Sequence, residues 1–247
     1  MRGRRTATFM LAILMVGVAA PPVAADPIDP GAAQSNLVQH LQRQLAERGF
    51  YRGQLDAEYG PMTSQAVMAF HKHLGLERSF SWQPDDWRHL DDLEPVAYRG
   101  EPGIEIDLDR QLLYYHRGPD DVAIIPISSG NGERFVNRSG RLVTARTPEG
   151  EFRLRSHVPG LRVSYLGALW KPWYFYGGYA IHGSSSVPAY PASHGCVRVP
   201  NWEADWLSTE LSLGLTISVG RSGGVEPPPP REPTVPLDRE LLMSMVE

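Results

Sequence analysis

Cys196 is the only cysteine in the 247-residue chain, and two histidines precede it closely: His194 by two residues and His182 by fourteen. A single thiol forms no internal disulfide, so in an exported chain it is either reactive or paired between chains. A free thiol has a pKa of about 8.5, and a neighbour must take or stabilise its proton before it attacks a carbonyl. Imidazole titrates in the right range for that task, so both histidines are candidates. A lone cysteine is ordinarily a small buried hydrophobe. Here it stands in Ser193-His194-Gly195-Cys196-Val197-Arg198, flanked by Gly, His and Arg rather than by aliphatic side chains. Gly183 and Gly195 permit positive φ and leave N–H groups uncovered, as an oxyanion hole requires. Arg198 adds a fixed positive charge, for a substrate carboxylate or for its own loop. Ser193 reads as a support residue of the turn. Together these residue types suit acyl transfer through a thioester.

Two kinds of periodicity must position this stretch. Between residues 35 and 93 the pattern is helical. Leu37, Val38, Leu41 and Leu45 recur on one face, with Ser35 or Asn36 as N-cap and Gly49 as C-cap. Thr63 can cap a second helix that buries Ala66, Val67, Ala69 and Phe70 and ends at Gly75. A third runs from Pro84 to Leu90. Such a bundle buries only a small core. His71 and His73 stand at i, i+2, on different sides of a helix, and are expected at the surface. Phe50, Tyr51 and Tyr59 are either core rings or ligand platforms.

Residues 94–102, with Pro95 and Pro102, read as a linker, after which the period changes to two. Ile104–Leu108 and Gln111–His116 form a hairpin about Asp109-Arg110, and Val122–Ser128 is a third strand. Further strands are expected around Phe152–Leu154, Leu161–Val163 and Gly214–Val219, with a helix capped by Asn201 in between. Trp170, Trp173, Tyr174, Phe175, Tyr176 and Tyr179 crowd the approach to His182, about half of them as core and the rest as a cleft wall. The fold expected is α+β in two domains: a small three-helix bundle over 35–93, then a mostly-β domain over 103–220 with a helix after Cys196.

The ends carry other information. Arg2, Arg4 and Arg5 precede an apolar run and then Pro21-Pro22-Val23-Ala24-Ala25, the pattern of a cleaved secretory leader over residues 1–25. The run is too short to span a membrane, which takes about 20 residues. Removing the leader takes three of the 24 basic residues and none of the 28 acidic ones, leaving 21 against 28, about −7. A nucleic-acid partner, which wants a basic face, is not expected. Residues 26–34 read as a short linker and 221–247 as a Pro-rich extension. No cofactor or metal is expected: the eight histidines are scattered and no His-x-x-Glu-His cluster occurs.

The pattern His182-Gly183, a variable loop, then Ser193-His194-Gly195-Cys196-Val197-Arg198 resembles the signature of the L,D-transpeptidases, whose catalytic domain is YkuD-like. Thr147-Pro148-Glu149-Gly150-Glu151-Phe152 resembles a second motif of that family, a tight turn shaping the floor of the site. Residues 41–76 resemble the three-helix peptidoglycan-binding domain, with Ala57 where that family usually has Gly. The resemblance implies Cys196 as nucleophile, His182 as proton donor and acceptor oriented by a backbone carbonyl, His194 as a second acid–base or support group, and Gly195 as backbone oxyanion donor. Arg198, Gly183, Ser193 and Tyr179 are implied on the substrate side. The implied reaction takes the acyl group of a tetrapeptide stem onto Cys196 and passes it to an amine, making a 3→3 cross-link. Carboxypeptidase action with water as acceptor, a wall cysteine peptidase, and a binding protein with an inactive second domain are the alternatives. The partners implied are peptidoglycan stem peptides and glycan, in the periplasm or cell wall, with no membrane span after leader removal. The first domain would act as a tether that raises effective concentration.

Overall fold

The computed structural model of the chain describes residues 30–94, 96 and 100–222. The expected leader and all but the first two residues of the C-terminal extension lie outside them. Helices α1 (Pro30–Glu47), α2 (Pro61–Leu74) and α3 (Asp86–Asp91) come first. Strands follow: β1 (Gly103–Asp107), β2 (Leu112–Gly118), β3 (Asp121–Pro126), β4 (Arg134–Val136), β5 (Leu142–Thr144), β6 (Gly150–Arg153), β7 (Ser156–His157), β8 (Leu161–Ser164), β9 (Gly167–Tyr176), β10 (Tyr179–Ser184) and β11 (Val197–Pro200). Helix α4 (Asn201–Glu210) and strand β12 (Thr216–Gly220) close the domain.

The strands make two packed sheets, β3-β2-β1-β12-β6 and β11-β10-β9-β7, with β8 added on β9 and a separate β4–β5 hairpin. Ile104, Ile106, Leu113, Tyr115 and Ile125 of the first sheet meet Trp173, Phe175, Ile181, Val197 and Val199 of the second, and Ala204 and Leu207 of α4 seal one end. Alternation sends the other side chains of β2 and β3 outward. Leu112, Tyr114 and Ile124 are nonetheless buried, because the helical module sits on that face with Leu41, Leu45, Phe50, Val67 and Phe70. A module too small to bury a full core alone completes its core on the sheet. Gly49 marks the closest approach: at φ +79°, a Cβ there would lie 2.1 Å from the carbonyl oxygen of Val122, and Ile124 N–H donates to Gly49 C=O at 2.8 Å.

Several local expectations shift. Helix α1 begins at Pro30, ahead of Ser35 and Asn36, and Pro is well suited to open a helix. Helix α2 likewise opens on Pro61 behind Gly60. Thr63 therefore lies inside the first turn, buried, with its hydroxyl donating to Glu58 C=O and accepting from Gln42. Asn201 is the first helical residue of α4, not its cap. The third helix spans Asp86–Asp91 and starts two residues after Pro84. His71 is not at the surface. It is buried, bonded through Nε2 to Asp86 (2.9 Å) and through Nδ1 to Ser79 C=O (2.8 Å), because the segment 79–86 folds over α2. His73, part-buried, faces Tyr114 Oη at 3.0 Å. Phe50 and Tyr51 are core rings, and the Tyr59 hydroxyl is committed to Phe80 C=O and Trp82 N–H. Ala57 holds φ +62°, a left-handed conformation costing a non-glycine residue roughly 1–2 kcal/mol; that explains glycine in the related motif. Arg221, the first residue of the expected extension, pairs with Asp109 and Glu149.

Candidate active site

Strands β10 and β11 run parallel, with His182 opposite Arg198. Cys196 stands just before β11 and two residues from Arg198, so the same pleat turns both side chains to one face. His182, Cys196 and Arg198 line one cavity of about 790 Å³.

His182 is buried, and its Nδ1 lies 2.9 Å from the carbonyl oxygen of Gly183. A carbonyl only accepts, so Nδ1 carries the hydrogen and Nε2 keeps the lone pair of the neutral ring. Burial pushes the His182 pKa below the ordinary imidazole value; the Gly183 carbonyl opposes this and the Arg198 charge adds to it. Burial pushes the Cys196 thiol up, against a backbone hydrogen bond from Ala180 and the Arg198 charge. At neutral pH Cys196 is therefore a thiol and His182 a neutral ring lining the same cavity, the thiol directed at Gly178 C=O (3.8 Å). The Arg198 side chain lines the same cavity.

The loop holding Cys196 is stitched from within. Ser193 Oγ accepts from Gly195 N–H at 2.9 Å and donates to Cys196 C=O. Gly195 has φ +133°, and a Cβ there would lie 2.6 Å from Tyr179 Cε1 and 2.9 Å from Arg146 C=O. Thr147 Oγ1 donates to Gly195 C=O at 2.8 Å and accepts from Gly130 N–H at 3.0 Å. The Thr147 turn thus props the loop that holds Cys196.

Three of the expected positions, Gly195, Ser193 and Gly183, sit otherwise than implied. Gly195 has spent its N–H on Ser193 and is not free to hold an oxyanion. The buried Ser193 hydroxyl is turned into the loop rather than toward substrate. Gly183 packs against Asn201, Ala204 and Trp170 and touches the chemistry only through His182. The exposed His194 ring sits edge-on to Phe135, centroids 4.7 Å apart, within the cavity. Tyr179 does line the cavity over Gly195; burial, then the neighbouring Cys196, raises its pKa, so it stays a phenol.

The crowded aromatics divide. Trp173 and Phe175 are core, Trp170 Nε1 donates to Asp205 at 2.7 Å, and Tyr174 and Tyr179 line the cavity. The β4–β5 and β8–β9 hairpins rim it with Phe135, Arg138, Arg162, Tyr165 and Leu166. The first hairpin was missed in the sequence, although Arg134-Phe135-Val136 and Leu142-Val143-Thr144 flank an Asn-Arg-Ser-Gly turn that signals it. Among the described residues no group of three or more His, Cys, Asp or Glu is gathered as a metal would need, and no helix is long and apolar enough to cross a membrane.

A cysteine and a histidine thus share one cavity on a two-sheet domain that carries a small helical module. The L,D-transpeptidase catalytic domain (YkuD) matches residues 101–219, and a peptidoglycan-binding domain matches residues 34–79. An L,D-transpeptidase structure from Xylanimonas cellulosilytica is 42% identical, covers 74% of this chain and 93% of its own, and superposes with a TM-score of 0.68. An L,D-transpeptidase from Stackebrandtia nassauensis is 19% identical over 83% of this chain and all of its own, TM-score 0.45. One from Mycobacterium smegmatis is 20% identical over 49% and 58%, TM-score 0.38. Comparison with curated proteins found no match. The chain belongs to the YkuD family of L,D-transpeptidases, with an N-terminal peptidoglycan-binding domain.

Proposed function

We propose that the protein is a peptidoglycan L,D-transpeptidase that forms a thioester between Cys196 and a tetrapeptide stem and passes the acyl group to a second stem's amine. The observation that carries this reading is the His182 Nδ1 bond to Gly183, which leaves Nε2 as a base in the cavity that Cys196 lines. Nε2 takes the thiol proton as sulfur attacks the amide carbonyl carbon. With Gly195 N–H committed to Ser193, the Cys196 N–H is the donor for the developing oxyanion. The C–N bond breaks, the His182 imidazolium returns its proton to the leaving amine, and the D-amino acid departs. An incoming amine then loses a proton to His182, attacks the thioester carbonyl and releases the thiolate. Arg198 steadies that thiolate and attracts the stem carboxylate.

One feature of the cavity favours an amine over water as acceptor. Its hairpin rims carry Phe135, Tyr165 and Leu166, apolar surface that disfavours a pool of free water. The two peptidoglycan-directed domains support a periplasmic or wall location. Incubation with a disaccharide-tetrapeptide tests the reading: the expected product is a cross-linked dimer lacking one terminal residue, whereas simple loss of that residue with no dimer makes the protein a carboxypeptidase.

A further inference from the structure

The helical module reaches well past its apolar interface. Lys72 of α2 is 2% exposed. Its ammonium donates to Gln111 C=O at 3.2 Å and Ile127 C=O at 3.0 Å. Arg78, also buried, donates to Ala189 C=O at 2.7 Å and Asp109 C=O at 2.6 Å. Gln65 of α2 donates to Val187 C=O at 3.1 Å. Burial of a cation costs several kcal/mol unless its hydrogen bonds are met, and two cations share this interface. Burial, with Arg78 adding, holds the Lys72 pKa well below its ordinary value.

Four of those five carbonyls, Asp109 in the β1–β2 turn being the exception, belong to segments that reach the loop holding Cys196. Ile127 leads directly to Ser128 and Ser129. Ser128 exchanges backbone bonds with Arg198 at 3.0 and 3.1 Å, and Ser129 C=O accepts from Ala192 N–H (3.0 Å) and Ser193 N–H (2.9 Å). Gln111, held by Lys72 at its carbonyl, clasps Ser129 with its side chain on both sides: Oε1 accepts from Ser129 N–H at 2.8 Å and Nε2 donates to Ser129 Oγ at 2.7 Å. Val187 and Ala189 lie in the loop joining His182 to Ser193, whose Tyr190 carbonyl accepts from Ser128 Oγ at 2.8 Å. Lys72 thus connects to Cys196 through Ile127, Ser129 and Ser193.

We propose that the peptidoglycan-binding-like module is part of the catalytic architecture: Lys72, Arg78 and Gln65 are positioning residues that fix the 127–130 and 187–193 segments and thereby the Cys196 thiol. The module then does more than hold the enzyme near its polymer. A tether alone needs only a linker, whereas five hydrogen bonds from three buried or part-buried side chains fix a geometry. Displacing a reacting group by about 1 Å costs on the order of 10²-fold in rate, so small slippage of this loop is enough to matter.

The inference rests on Cys196 being the acylated nucleophile. Its test is carbapenem acylation of the full chain, followed by intact mass and resolved into kinact and KI. Arg78→Ala is expected to lower kinact at least tenfold with KI within twofold, and Arg78→Lys, which keeps one donor, to recover part of the loss. Val67→Ala opens a cavity in the same helical core without removing a loop bond, and is expected to lower the melting temperature while leaving kinact within twofold. Gln65→Leu keeps both cations, and a threefold or larger drop in kinact is expected even if Arg78→Ala does not fold. Unchanged kinact in Arg78→Ala or Gln65→Leu, or an equal loss in Val67→Ala, overturns the positioning role while the nucleophile stands. A wild-type chain that takes no adduct overturns the nucleophile itself, and this proposal with it.

Discussion

Ser193 Oγ takes the hydrogen of Gly195 N–H and gives its own to Cys196 C=O, so one hydroxyl fixes the backbone on both sides of the nucleophile. Ser193→Ala strands a buried donor and a buried acceptor, each worth about 1–3 kcal/mol when left unmet. The expected outcome is a loss of about 1–3 kcal/mol in stability, since loop relaxation and water recover part of the sum, and a 10- to 100-fold slower acylation of Cys196. Urea unfolding and acylation rates measured on the same preparation check both numbers.

The pH profile follows from His182. Its pKa is depressed by burial, so the ring stays neutral, and able to take the thiol proton, to below the ordinary value of about 6.5. Acylation should therefore rise with pH through an acid limb whose midpoint lies under about 6.5, and His182→Asn should abolish that limb along with most of the rate. The stability sign agrees: below about 6.5 the unfolded chain binds a proton that the folded His182 refuses, so acidification destabilises until the folded value is passed. A limb centred above 6.5 would contradict the buried-base assignment.

Arg52 and Glu203 join the helical module to α4. Arg52 Nε and Nη2 meet the two carboxylate oxygens at 2.9 and 2.8 Å, with the Glu203 side chain 7% exposed, and the guanidinium lies 5.0 Å from the Trp206 ring centroid. Removing one partner of a buried pair costs about 3–5 kcal/mol, whereas exposed pairs are worth 0–1. Arg52 is part-exposed at 15%, so Glu203→Ala is expected to cost about 2–3 kcal/mol, between those limits. A double-mutant cycle with Arg52→Ala, read by urea unfolding, isolates the pair. A coupling near zero would mean that the apolar interface and the Lys72, Arg78 and Gln65 bonds hold the module without help from this pair.

Much of this was legible in residue order. The period-two run of β1, the strand-forming apolar runs of β2 and β3, the turn at Asp109-Arg110, the glycine ends of α1 and α2 and the cluster around Cys196 all act locally, and local sequence reports them. What was not read depends on distant partners. Leu112-Leu113-Tyr114-Tyr115 is apolar at every position, which implies a strand covered on both faces; that signal pointed to a docked module, but not to which element covers it. His71 looked exposed by helical spacing, and only the fold of 79–86 over α2 buries it. Ser193, Gly195 and Gly183 were expected at the site from their neighbours in the sequence, yet what each does there turns on hydrogen bonds at i+2, i+3 and i+1. Nothing in composition distinguishes an N–H aimed at a substrate from one satisfied by a neighbouring hydroxyl.

Whether Cys196 is the nucleophile of an acyl-transfer site is read from the intact mass of the full chain after exposure to a carbapenem, whose strained amide acylates a reactive thiol. One covalent equivalent is expected, mapped by peptide analysis to Cys196 and absent from Cys196→Ala. An adduct that persists in Cys196→Ala, or a folded wild-type chain that takes none, would contradict that role.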